Sequence, residues 1–150
     1  MKFILKNPVV LILLCLMTGM FVTVSFLETP LKFQVPGITL PIALGLGKLM
    51  FGISTNIQAA FLVFIMVFMI ISRKNYTKTD FILFSILTCI LILEKFWMLP
   101  VMDIRADALS AGKALPATPL HDYFIYAEVI KIILLIAAIL SQFKKKQIQS

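Results

Sequence analysis

The chain has 150 residues, 61% of them hydrophobic and 14% charged, with a mean hydropathy of +1.03 and a formal net charge of +7. A soluble domain is about 45–50% apolar with about 25% charge, and a chain of about 150 residues still exposes roughly a third of its surface after folding. So much apolar surface excludes a soluble monomer and a disordered chain, and the positions of the charges, at the flanks of apolar runs, exclude a nucleic-acid-binding domain.

In chain order, residues 7–27 carry no charge, and a membrane-spanning helix needs about 20 mainly apolar residues. The first span is expected near 8–27. Lys2 and Lys6 resemble the basic start of a signal peptide, but the apolar stretch exceeds an h-region of about 7–15 residues and no A-x-A-like site follows, so an uncleaved anchor is expected. Cys15 and, later, Cys89 sit mid-span without a C-x-x-C, which excludes a disulfide framework; both read as small apolar fillers.

Residues 28–54 form a long outer connection rich in Pro and Gly. Thr55-Asn56-Ile57-Gln58 fits a capping box and starts a second span over 55–72, about 26 Å long. A helix begun at Ile38 would overrun the hydrocarbon core. Residues 38–53 are therefore expected as a separate short helix lying in the outer interface or re-entering slightly, with Pro41 in its first turn and Gly45, Gly47 and Gly52 along it.

A short basic inner loop, 73–79, leads to a third span over 80–98, started by Thr77 with Asp80 three residues on. A second outer connection, 99–119, can form a short helix from Asp103 to Ala111, ended by Gly112. The fourth span, 120–142, has Thr118 as N-cap, Pro119 at N1 and Asp122 in the first turn. The predicted fold is an all-α integral membrane protein, a single domain over 1–150. It forms a four-transmembrane-helix bundle with a short outer interfacial helix between spans 1 and 2. No repeat of 20–50 residues is visible, and a two-plus-two symmetry of hairpins has no sequence match to support it.

Lys2, Lys6, Arg73, Lys74, Lys78, Lys144, Lys145 and Lys146 flank one side of the spans. Lys32, Lys48, Arg105 and Lys113 flank the other, offset by Glu28, Asp103, Asp107 and Asp122. The basic excess makes the first side cytoplasmic, with both termini inside a bacterial inner membrane and the 144–146 lysines against anionic headgroups.

Four ionisable residues lie inside spans: Glu94, Lys95, Glu128 and Lys131. A central charge costs about 2.5–3.5 kcal/mol on insertion scales, so such groups face a bundle interior or a wet cavity. Glu128 and Lys131 are three apart and can touch. His121 lies on the same helical stripe as Glu128, with Tyr126 on a second polar stripe beside it. Above them come Glu28 and Lys32 from the end of the first span, and Asp103 and Arg105 from the second outer connection. These ten residues form the candidate polar pocket, opening outward. The competing reading is a structural charge network that fixes helix register, with Lys95 snorkelling beside Trp97.

The single histidine excludes bis-His haem. No H-E-x-x-H, Walker loop, G-x-S-x-G or dinucleotide fingerprint is present. No catalytic set, metal site or cofactor is expected, and the methionines read as flexible apolar filler.

The order of features resembles the small four-helix membrane proteins of the transmembrane-protein-two-oh-five type, which include bacterial domain-of-unknown-function members. The features are Pro30–Phe33 after the first span, the glycine-bearing stretch Gly45–Phe51, Leu99-Pro100 after the third span, and Leu120-His121 opening the last. The resemblance implies a four-helix fold and little about activity; Tyr126, Glu128 and Lys131 depart from its more neutral last helix. Three functions are expected in descending order. The first is binding or helping to translocate a small solute, ion or lipid through the outward pocket. The second is an accessory or assembly subunit whose buried charges pair with partner helices. The third is an enzyme on a lipid-linked substrate, using His121 and Glu128. The partners expected are the lipid bilayer and a homo-oligomer or larger membrane complex, with no nucleic acid.

Overall fold

The computed structural model describes residues 3–145; Lys2 and Lys146 of the basic flank lie outside them. Four long helices are each long and apolar enough to cross a membrane: α1 (Pro8–Lys32), α2 (Leu40–Ile71), α3 (Lys78–Ser110) and α4 (Leu120–Ser141). They pack in an up-down-up-down ring, each against its two neighbours. Strands β1 (Phe3–Leu5) and β2 (Phe143–Lys145) pair antiparallel and bring the two ends of the chain together at one end of the bundle.

Each helix buries a narrow seam at alternating spacings of three and four, as in a coiled coil. Val10, Leu14, Met17, Phe21 and Val24 are buried on α1, and Leu62, Ile65 and Met69 on α2. The rest of each surface is also apolar: Ile12, Val63, Phe64, Ile82, Ile133 and Leu140 are all more than half exposed. An apolar exterior around a close-packed seam is what a bilayer solvent permits.

The helices run further than the sequence led us to expect. No separate interfacial helix exists over 38–53; those residues are the first turns of α2, which runs unbroken through position 55. The capping signal is used otherwise. Thr55 Oγ1 donates to the Phe51 carbonyl at 2.7 Å and Gln58 Nε2 donates to Ser54 Oγ at 3.1 Å. Thr, Ser and Gln can thus spend their polarity inside a helix, on groups one turn back. Length did not forbid it either. At about 1.5 Å per residue, a helix over 40–71 overruns the hydrocarbon core, but its first turns lean on the last turns of α3, which overruns in the same direction.

The outer connections shrink accordingly, because α1 and α3 both pass a proline. In each, a single π-type turn precedes it: Thr23–Glu28 before Pro30 and Glu94–Met98 before Pro100. The Thr29 N–H donates to the Val24 carbonyl and the Leu99 N–H to the Glu94 carbonyl, five residues back. Widening the turn relieves the clash between a proline ring and the carbonyl four residues back. The short helix expected at 103–111 is thereby continuous with the third span, and it does end at Gly112, whose φ of 77° suits a residue without Cβ.

A repeat becomes visible in burial though not in residue identity. Val10, Leu14, Met17, Phe21 and Val24 of α1 correspond, seventy positions on, to buried Asp80, Phe84, Leu87, Leu91 and Glu94 of α3. The N-caps Asn7 and Thr77 and the prolines Pro30 and Pro100 keep the same offset. Thr55, Gln58, Leu62, Ile65 and Met69 of α2 correspond, seventy-three positions on, to Glu128, Lys131, Leu135, Ala138 and Gln142. The bundle is two helical hairpins of one design.

Candidate functional site

The ten candidate residues separate into two places and two outliers. The first place is a cavity of about 430 Å³ at the end of the bundle away from the chain termini. It lies where the short ends of α1 and α4 leave room beside the longer arms of α2 and α3. Lys32, Asp103, Arg105 and His121 line it, with Lys48, Gly47 and Phe51 of α2. Its wall is mainly apolar.

Lys32 is the buried charge of this cavity, 6% exposed. Its Nζ stands 3.6 Å from Glu28 Oε2 one turn back, an ion pair longer than a hydrogen bond. The ammonium also faces the rings of Phe33 and Phe51 at 5.7 and 5.8 Å. The lysine fits because α2 has a glycine opposite it: a Cβ on Gly47 would stand 2.9 Å from the Lys32 Nζ. At the rim, Lys48 pairs with Asp107 at 2.8 Å and clasps the two arms together. Arg105 donates to the Pro116 carbonyl at 2.6 Å, tying down the last loop.

The second place lies deeper. Lys131 Nζ is 2.5 Å from Glu94 Oε2, 2.8 Å from Glu128 Oε1 and 3.2 Å from Gln58 Oε1, with the Phe21 ring 4.6 Å away. An ammonium has three N–H donors, so all are used. Glu94, Lys131 and Gln58 are 1–2% exposed and Glu128 5%.

An apolar layer separates the two places. Met98, Leu99 and Phe124 form a buried cluster joined by Phe51, Met102 and Leu120, and the Phe51 and Phe124 rings meet edge to face at 5.2 Å. The same order holds along three helices. Gly47, Phe51 and Gln58 on α2 run from cavity to floor to cluster, as do Asp103, Leu99 and Glu94 on α3, and His121, Phe124 and Glu128 on α4.

Lys95 and Tyr126 belong to neither place. Lys95 donates to Asn56 Oδ1 at 2.8 Å on another face, so it does not balance the buried acids. Tyr126 is 61% exposed, beside Trp97 and Tyr123, half exposed each. This is the arrangement of an aromatic belt at a membrane boundary. Cys15 and Cys89 both face outward and do not pair. Among the described residues no three His, Cys, Asp or Glu side chains gather to hold a metal ion.

From sequence, Gln58 reads only as the end of a capping box and Gly47 only as one of three glycines along an outer helix, and neither as a member of the site. Gln58 occupies on α2 the position that Lys131 occupies on α4, so the repeat in burial is the signal that finds it. A third polar group at the termini end was also read only as capping. Asp80 accepts from Lys6 at 2.7 and 2.9 Å while closing the Thr77 capping box. Beside it, Tyr76 donates to Gln142 Oε1 at 3.1 Å; burial, with the Asp80 charge, pushes this phenol up to about 12.

Fold and charge placement define a four-helix bundle of the membrane-spanning class, with a cavity at one end and a buried ion cluster beneath it. Comparisons with protein-family models, with curated proteins and with solved structures found no match to this chain.

Proposed function

We propose that the protein binds a small amphiphile with an anionic head, of the lipid kind, in the cavity at the loop end of the bundle, without chemistry on it. The observation that carries this reading is a buried ammonium, Lys32, set into an otherwise largely apolar cavity of about 430 Å³. The apolar wall suits a chain or ring. The Lys32 ammonium, at 3.6 Å from Glu28, keeps donor capacity for an anionic oxygen, and Arg105 adds a planar donor at the same cavity. Pockets for small molecules combine an apolar lining with few polar groups in this way.

Binding is favoured over passage because the floor of Leu99, Phe124 and Phe51 closes the cavity from below. The excess of basic residues at the termini end favours a cytoplasmic location for both termini, which turns the cavity toward the outer leaflet of a bacterial inner membrane. The subunit reading is weakened because Glu94, Glu128 and Lys131 pair with one another within the chain and not with an outside helix. The resemblance to the two-oh-five type supports four spans and no particular ligand.

The test is native mass spectrometry of the purified protein with phosphatidylglycerol and phosphatidylcholine offered together. The proposal predicts retention of the anionic lipid, lost in Lys32→Met and in Ala43→Phe, which fills the cavity. Equal retention of both lipids, or a preference unchanged by both substitutions, overturns it.

A further inference from the structure

The cluster below the floor is not needed for amphiphile binding, and its charges do not balance. Two carboxylates, Glu94 and Glu128, hold one ammonium, Lys131. Among the described residues, the other groups shown against them add no compensating charge: Gln58 from α2 is neutral, and α1 presents the Phe21 ring. Lys95 of α3 is turned away to Asn56. If both acids were ionised, one uncompensated negative charge would lie in the membrane interior, where isolated charges are expensive. A second observation is independent of that arithmetic. Glu94 Oε1 and Glu128 Oε2 are both fully buried and have no hydrogen-bond partner, although buried polar atoms are nearly always paired.

We propose that Glu94 and Glu128 share one bound proton, making this cluster a proton-binding site in the membrane interior. One proton answers both observations. It moves from water to a free carboxylate oxygen, brings the cluster to neutrality, and converts that oxygen into a donor for the other carboxylate. A metal ion answers neither. A hard cation takes about six oxygen ligands, whereas two oxygens are free here and a lysine ammonium already occupies the centre.

The site is tested by infrared spectroscopy of the full chain in lipid nanodiscs at neutral pH, and by proton release. The wild type is expected to show the carbonyl stretch of a protonated carboxylic acid, absent from both Glu94→Gln and Glu128→Gln, in each of which one carboxylate balances Lys131. Unfolding the wild type in strong detergent should release about one proton per chain at neutral pH, the linkage signature of a group protonated only when folded. This second measurement needs no variant to fold. A wild type with neither the acid band nor proton release overturns the proposal, as does a band that persists in both variants. Lipid preference is read separately, so failure here leaves the cavity reading standing, and the reverse.

Discussion

Lys131 shows how one residue type can carry two energetic outcomes. The ammonium uses all three donors on Glu94, Glu128 and Gln58. Removing one partner of a buried charge set typically costs about 3–5 kcal/mol, because the remaining charge is left uncompensated. Lys131→Met is therefore expected to destabilise the fold by about that amount in equilibrium unfolding in mixed micelles. Glu94→Gln, which keeps an acceptor for Lys131 and leaves one carboxylate, is expected to cost far less. Equal losses would mean that side-chain volume, not charge, matters at this layer. Gly47 makes the opposite case. Alanine there gains about 0.5–1 kcal/mol of helix stability, and the atom it meets is the flexible tip of Lys32. Gly47→Ala should keep or raise the melting temperature while weakening anionic-lipid retention several-fold, because it displaces the ammonium. Unchanged retention would show that Lys32 does not position the head.

At the scale of elements, the ends of helices were more legible than their continuity. Thr77 with Asp80 marks the start of α3 because an extended residue there leaves its hydroxyl free to cap; the reciprocal bonds are present. Gly112 marks the end of the same helix through its positive φ. Thr55 with Gln58 carries the same kind of pattern and marks nothing, since the backbone before it is already helical and the side chains bond one turn back. Pro30 and Pro100 misled in a similar way. A proline stops a helix only where the preceding turn cannot widen, and here it widens twice. The Asp80 cap carries more than its helix, because it also holds Lys6 from the start of the chain. Hydrogen bonds to charged groups are worth about 1.5–3 kcal/mol, so Asp80→Asn should lower unfolding stability by an amount in that range. Thr77→Val, which removes the cap but leaves the Lys6 pair, should cost less.

For the whole molecule, the four spans were readable because lipid demands long uncharged helices, and the composition of each run sufficed. The candidate site was readable only in kind. Sequence showed that charges lay inside the spans, but the rotation of each helix decides which of them meet. That rotation places Glu94 against Lys131 and turns the adjacent Lys95 outward. It also sets Phe124 between His121 and Glu128, so one expected pocket becomes a cavity and a separate cluster. The two-hairpin design explains the one-sidedness of that cluster: where the second half has Glu94, Glu128 and Lys131, the first has Val24, Thr55 and Gln58.

The cavity lies at the loop end of the bundle and is closed beneath by an apolar floor. Cysteine labelling tests it, with Cys15 and Cys89 replaced by serine and a membrane-impermeant thiol reagent added to intact cells and, separately, to inside-out vesicles. Ala106→Cys, in the cavity wall, is predicted to react and to be protected by an anionic amphiphile. Met98→Cys, in the floor, is predicted to stay unreacted from either side. Labelling of position 98 as fast as position 106, or reaction of position 106 only from the side of the chain termini, would contradict it.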